Sequence, residues 1–341
     1  MKTSAVKFMS GGGNVCICIV VSLALMTGVF AGSSRAAAGT LEKLDALKLY
    51  ATDWTYIARA KGLFKSFEDQ GIKVELVEGY LGNEVQLIER GDLHFASRMI
   101  YPFLLYKTQG ADLKAVQVSK HPEPNIISIL VKRDSPYKTF DDLKGKKICS
   151  WRAGCPYIGV FEIAEARGWK QGTDWEYINV PSAEQVSALL SGEVDAVSVH
   201  LLAESANLLA AGEVREIANV APDSVYVNGG GVTVVFTGAK FADGYPGVTK
   251  EVLRLKRETE SWILANRDEA AAALEGITRV PASASKTSWE RMGSTWADSA
   301  LSFEEIVGEA KNLQDWLIAH SDIAAGKAVN PRDLFDADFF Q

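Results

Sequence analysis

The chain of 341 residues carries 36 Lys and Arg against 43 Asp and Glu, a formal net charge of −7, and is 47% hydrophobic. That length is generous for one domain and suits two, each able to bury a core. The acidic balance excludes a general nucleic-acid or anionic-membrane binder, which needs a basic surface. Any anion must be met by local arginines and backbone N–H groups.

The first residues differ in kind from the rest. Lys2 and Lys7 precede an apolar segment over residues 15–31, and Ser34-Arg35-Ala36-Ala37-Ala38 offers small residues in an A-x-A arrangement. This is the pattern of a secretory signal peptide over residues 1–38, cleaved after Ala38 or after Ala31, and the apolar run falls short of the ~20 residues of a spanning helix. Cys16 and Cys18 stand at the start of the run, so no lipoprotein cleavage site is expected. Cleavage at Ala38 removes three basic residues (Lys2, Lys7, Arg35) and no acid, taking the net charge from −7 to −10.

Beyond it, strand and helix signals alternate, the pattern of α/β domains. Residues 46–51 read as a strand, Asp53-Trp54-Thr55 as a turn, and a helix then runs to Phe67 through Ile57, Ala60, Leu63 and Phe64. Residues 72–77 alternate as a half-buried strand, and Asn83 is placed to cap the helix of Val85, Leu87 and Ile88. A strand over 93–97, a stretch from Arg98 to Tyr101 leading into a helix that ends near Gly110, and a strand over 113–118 follow.

Residues 126–157 hold an apolar β-branched run, a short helix capped by Thr139 and stopped at Gly145, and a strand over 146–151. The strand empties into Arg152-Ala153-Gly154-Cys155, with Pro156 as the first helical residue; such a helix start suits an anion. Further on come a strand over 176–180, a capping box Ser182-Ala183-Glu184-Gln185, strands over 195–200 and 216–220, and a second β-branched run over 232–237. From Pro246 the chain reads as helical, with a tail over 330–335 that docks.

The two β-branched runs suggest a chain that crosses between two lobes twice. Lobe I is then residues 39–131 plus 232–341, lobe II is 132–231, and a cleft lies between them. Cys149 and Cys155 either close a disulfide or stand as separate thiols, which spacing does not decide. His94, His121, His200 and His320 are scattered, so no metal site is expected, and no cofactor either.

Leu63-Phe64 ahead of Gly71-Ile72-Lys73-Val74-Glu75-Leu76, then Glu89-Arg90-Gly91-Asp92-Leu93, Leu130-Val131-Lys132-Arg133-Asp134-Ser135-Pro136, Asp142-Leu143-Lys144-Gly145-Lys146-Lys147-Ile148 and Leu190-Ser191-Gly192-Glu193-Val194-Asp195-Ala196 carry a likeness. The chain resembles the nitrate/sulfonate/taurine group of periplasmic substrate-binding proteins of ABC importers over nearly its whole mature length. The resemblance implies a two-lobe type II periplasmic binding fold, acting as a monomer, that delivers a small anionic solute to a membrane permease. It also implies cleft loops at Asp53, Trp54 and Thr55, at Gly82 and Asn83, at Ser97 and Arg98, at Ser150, Trp151, Arg152 and Ala153, at residues 198–200 with His200, and near Asn228. Bulky Trp151 and charged Arg152 depart from the group's small-residue loop and point away from nitrate toward an organic anion, a sulfonate or aromatic carboxylate.

Enzymes share that fold. The aryl-sulfinate desulfinases carry a nucleophilic cysteine in the loop after the first strand, where this chain has Asp53-Trp54-Thr55. The fungal pyrimidine synthases carry a cysteine-rich motif that Cys149 and Cys155 do not reproduce. No His lies near Cys155 in sequence to act as its base. A receptor is therefore expected over an enzyme, serving either an importer or a membrane sensor.

Overall fold

The computed structural model describes residues 40–79, 82–120, 127–152, 154–200, 203–219, 232–292 and 302–339. The expected signal segment and the histidine at 121 lie outside them. Strands β1 (Ala46–Tyr50), β2 (Lys73–Val77), β3 (Phe95–Met99), β4 (Leu113–Lys120) and β10 (Val232–Gly238) form one sheet in the order β2-β1-β3-β10-β4. Strands β5 (Ile127–Lys132), β6 (Lys147–Ser150), β7 (Glu176–Asn179), β8 (Ala196–His200) and β9 (Val214–Asn219) form a second in the order β7-β6-β8-β5-β9.

The two sheets repeat one plan. In the first, β1 runs parallel to β2 and β3 while β10 runs antiparallel to β3 and β4. In the second, β6 runs parallel to β7 and β8 while β5 runs antiparallel to β8 and β9. The inserted antiparallel strands are the two β-branched runs. Because β5 stands in the second sheet, the chain leaves the first sheet between Lys120 and Ile127, ahead of the boundary expected at Val131. It returns between Asn219 and Val232.

Strands buried on both faces need apolar residues at successive positions, and both runs supply them. On β10, Val234 and Phe236 pack with Phe103 and Leu104, whereas Val235 points to the other face beside Leu47, Leu49 and Val252. On β5, Ile129 and Val131 join the first of these clusters, and Leu130 faces Cys149 and Val197. One apolar cluster therefore runs from the first sheet into the second.

The helices are α1 (Asp53–Ala60), α2 (Lys65–Glu68), α3 (Glu84–Glu89), α4 (Ile100–Thr108), α5 (Cys155–Glu165), α6 (Gln185–Ser191), α7 (Ala203–Ala211), α8 (Ala239–Gly244), α9 (Pro246–Ala265), α10 (Arg267–Thr278), α11 (Ala282–Met292) and α12 (Phe303–Ala319). The helix expected to reach Phe67 breaks at Gly62, whose φ of +65° lets the chain turn between α1 and α2. Ser182 forms no capping box: Pro181 leads a single 3-10 turn, and the Gln185 amide instead donates to the Val180 carbonyl at 3.0 Å. The short helix at Thr139 is a 3-10 turn, Phe140–Leu143, held by Asp142 accepting from the Thr139 N–H at 2.9 Å.

The tail docks as expected. Leu334 and Phe335 are buried, and Phe335 bridges to Ala115 on β4, which is the edge strand of its sheet. At the other end of the described chain, Glu42 accepts from the Gly247 and Val248 N–H groups, each at 2.9 Å, and so caps α9.

His94 is a structural histidine. Its Nδ1 accepts from the Lys48 N–H at 3.1 Å and its ring stacks on Phe241 at 4.6 Å. Burial, helped by the Lys48 charge, pushes it down from its ordinary 6.5 to about 4. A depressed pKa gives stability that is full above 6.5 and drains away as pH falls through about 4. Urea denaturation across that window is expected to show the loss, and His94→Asn, which keeps an acceptor but cannot protonate, to reduce the slope.

Candidate functional site

In open sheets with parallel strands, ligands sit beyond the carboxyl ends of those strands. Here the ends of the two sheets meet. The Trp151 ring, just past β6, lies 3.5 Å from where a Cβ on Gly82 would stand, and Gly82 follows β2 with a φ of +98°. The left-handed backbone calls for glycine there, while the Trp151 ring packs at ordinary contact distance. Tyr101, at the start of α4, donates its hydroxyl to the Arg152 carbonyl. The structure thus brings the expected loops around Gly82, Arg98, Trp151 and Arg152 together across the two sheets.

Arg98, next to last in β3, pairs its charge with a residue that sequence patterning does not single out. Its Nε donates to Glu84 Oε1, and the Glu84 carboxylate is fully buried. The same Oε1 accepts from the Tyr106 hydroxyl at 2.7 Å, and Oε2 accepts from the Gly82 N–H at 2.9 Å. Burial and the adjacent carboxylate hold the Tyr106 phenol well above its usual range. Asn83, beside Glu84, is exposed and makes no capping bond through its side chain. Ser97 is half-buried in β3 opposite Val235.

Arg152 is likewise engaged. Its Nε and Nη2 reach Asp322 Oδ1 at 2.8 and 2.6 Å, Asp322 Oδ2 accepts from the Tyr157 hydroxyl at 2.9 Å, and the guanidinium lies over the Tyr157 ring at 5.5 Å. Its N–H donates to Asn179 Oδ1 at 2.9 Å. Both arginines expected to grip an anion therefore already hold a shielded carboxylate.

The residues expected as a turn after β1 instead form the first turn of α1, and they divide its labour. Thr55 is buried and closes the turn, donating to the Tyr50 carbonyl at 2.9 Å and accepting from the Thr52 N–H at 2.8 Å. Trp54 stands edge-on to Phe64 at 6.5 Å and packs against two apolar clusters, so part of it is core. Asp53 accepts from Trp289 Nε1 at 2.9 Å, and burial raises its carboxyl, with the indole donor partly offsetting the rise.

In the second sheet, Ser150 ends β6 fully buried, and its hydroxyl has no partner among the described residues. Ser198 is satisfied, donating to the Pro156 carbonyl at 2.9 Å, and His200 ends β8 opposite Ile127. Cys149 and Cys155 are separate buried thiols in different apolar clusters, so no disulfide joins them. Burial pushes the Cys149 thiol up to about 12, far from a nucleophile's range. Ala153 and Asn228 lie outside the described residues. Among the described residues no group of His, Cys, Asp and Glu is arranged to hold a metal ion.

The Arg98–Glu84 pair changes what mutation does. Removing one member of a buried ion pair strands the other, at a cost of about 3–5 kcal/mol. Arg98→Ala and Glu84→Ala are each expected to lower stability on that scale in urea titrations, and the double variant to lose clearly less than the sum. Additive losses would show that the pair is not coupled.

Residues 53–270 match the model of the family described as NMT1/THI5 like. A curated relative from Escherichia coli (strain K12), named as an aliphatic sulfonates-binding protein, is 26% identical over 211 residues, 62% of this chain and 64% of that protein. The match thus spans less than two thirds of the relative's own length. The alkanesulfonate-binding protein of Xanthomonas axonopodis pv. citri, solved bound to MOPS, superposes with a TM-score of 0.73 at 18% identity, covering 87% of this chain and 98% of that one. The periplasmic aliphatic sulphonate binding protein of Escherichia coli gives 0.71 at 19% identity, covering 86% and 93%. These likenesses identify the architecture as the periplasmic binding protein fold, and no helix among the described residues is long and apolar enough to cross a membrane. With the matched stretch running from the start of α1 into the first turn of α10, the chain belongs to the NMT1/THI5-like family.

Proposed function

We propose that the chain is the extracytoplasmic solute-binding component of an ABC importer. It captures a small organic anion, a sulfonate or aromatic carboxylate, between its two sheets and hands it to a membrane permease. Residues 1–38 direct export and are removed, leaving a monomer of two lobes. The reading is that of a receptor, not a catalyst: the loop after β1 has no cysteine, and the Cys149 thiol is held protonated by burial.

The observation that carries this reading is the Ser150 hydroxyl. Buried polar groups are almost always hydrogen-bonded, and one left alone asks for a partner that the protein does not supply. This one is fully buried at the carboxyl end of β6, next to Trp151, where the two sheets meet. A solute oxygen placed there satisfies it. The names of the relatives support the solute class, and the half-buried indole of Trp54 at the facing strand end supports an organic body over a bare ion.

Ser150→Ala separates this role from a structural one. Deleting an unsatisfied buried hydroxyl is expected to leave the melting temperature unchanged or higher, since burying it unpaired costs about 1–3 kcal/mol. Affinity for the best sulfonate or carboxylate in a calorimetric panel is expected to fall by about tenfold, the worth of a lost hydrogen bond. A destabilised variant with intact affinity would remove Ser150 from the site. Consumption of the bound compound on long incubation would replace the receptor reading with an enzymatic one.

A further inference from the structure

The two sheets also meet through a pair of helices. Helix α7 lies between β8 and β9, and its Leu208 and Leu209 pack against the second sheet's cluster of Leu130, Val197 and Val199. Helix α11 is fixed to the first sheet's unit. Trp289 donates to Asp53 at the start of α1 and packs with Ile57, Ile263 and Leu274, which stand on α1, α9 and α10. Helix α1 is itself seated against β1, with Ala58 beside Leu47 and Leu49. Anchored in this way to different sheets, α7 and α11 pack directly on one another. Ala206 meets Ala284 at the contact, with Leu209 and Val280 against them.

Both alanines are buried, and so is Ser288, one turn beyond Ala284 on the same stripe of α11. Small side chains let two helices approach closely while burying little apolar area. The contact is therefore close but easily parted. Each helix is tied to its own unit by larger side chains, Leu208 and Leu209 on α7 and Trp289 on α11. If the sheets turn about the two passages of chain between them, the α7–α11 contact separates before either core opens.

We propose that α7 and α11 form a clasp that holds the two sheet units together and so sets the fraction of molecules in which Trp151 stands against Gly82. Resting on the solute-binding reading above, the clasp then sets apparent affinity, because a site assembled only part of the time binds more weakly in proportion. It does so without any change in the loops at the strand ends. Nothing but protein enters the contact, so its strength is a property of Ala206, Ala284 and their neighbours alone.

Small-angle X-ray scattering of the mature protein, with no solute added, tests the clasp. A compact chain of this length has a radius of gyration of about 19 Å, and the native protein is expected near it. Ala206→Leu and Ala284→Leu wedge the contact from opposite sides; each is expected to raise the radius by about 1 Å or more with a melting temperature close to native. Val280→Ala, which only trims the contact, is expected to shift the radius the same way by less. Ala271→Leu wedges an equally buried alanine within the cluster around Trp289, and is expected to lower the melting temperature without expansion. Clasp variants that behave like Ala271→Leu, or a native protein already as expanded as they are, would overturn the proposal and make the contact ordinary core packing. Either result leaves the receptor reading to be decided by the Ser150→Ala titrations.

Discussion

Each sheet is completed by a strand that the chain delivers from elsewhere. The first four strands make an incomplete first sheet whose gap between β3 and β4 waits for β10, while the second sheet begins with β5, the antiparallel strand that later neighbours enclose. Parallel strands require long crossovers, whereas an antiparallel insert can enter directly from the neighbouring unit. The two passages between sheets lead directly into β5 and β10, and the carboxyl ends of the parallel strands are left facing one another. The contact between Trp151 and Gly82 follows from that arrangement.

Electrostatics on this frame are largely internal. An acidic protein that uses arginine at a cleft has two options: leave the guanidinium exposed to a ligand, or hold it rigid with a buried carboxylate. Arg98 and Arg152 take the second course, and in doing so tie down the loops that carry them. Glu84 joins β3, α4 and the Gly82 turn; Asp322 joins the loop after β6 to the segment following α12. Such pairs contribute geometry more than net stability, because desolvation consumes much of their Coulomb energy.

Much of the architecture was legible from residues alone. The strand positions and the helical carboxyl-terminal region follow from period-2 and period-3.6 patterning, and the β-branched runs at 126–131 and 232–237 mark the two inserted strands. What patterning lacks is partnership. A fully apolar run fits the middle of either sheet, so the run alone does not say which sheet β5 joins. Glu84 looked like any acid in a first helical turn. Asp53 meets Trp289 and Arg152 meets Asp322 across sequence separations of 236 and 170 residues, which no local motif discloses. Ser182 shows the converse: a capping sequence whose Gln185 finds a better acceptor in the folded protein.

The bridge from Phe335 to Ala115 bears on the order in which the chain is made. β4 is an edge strand, and unpaired edges are where chains join the wrong partner. β4 emerges early and remains open on both sides for most of synthesis, since neither β10 nor the tail yet exists to flank it. The first sheet cannot close until the last residues arrive. A chain built this way stays unfinished until residues 331–335 have been made, and only then is its vulnerable edge covered.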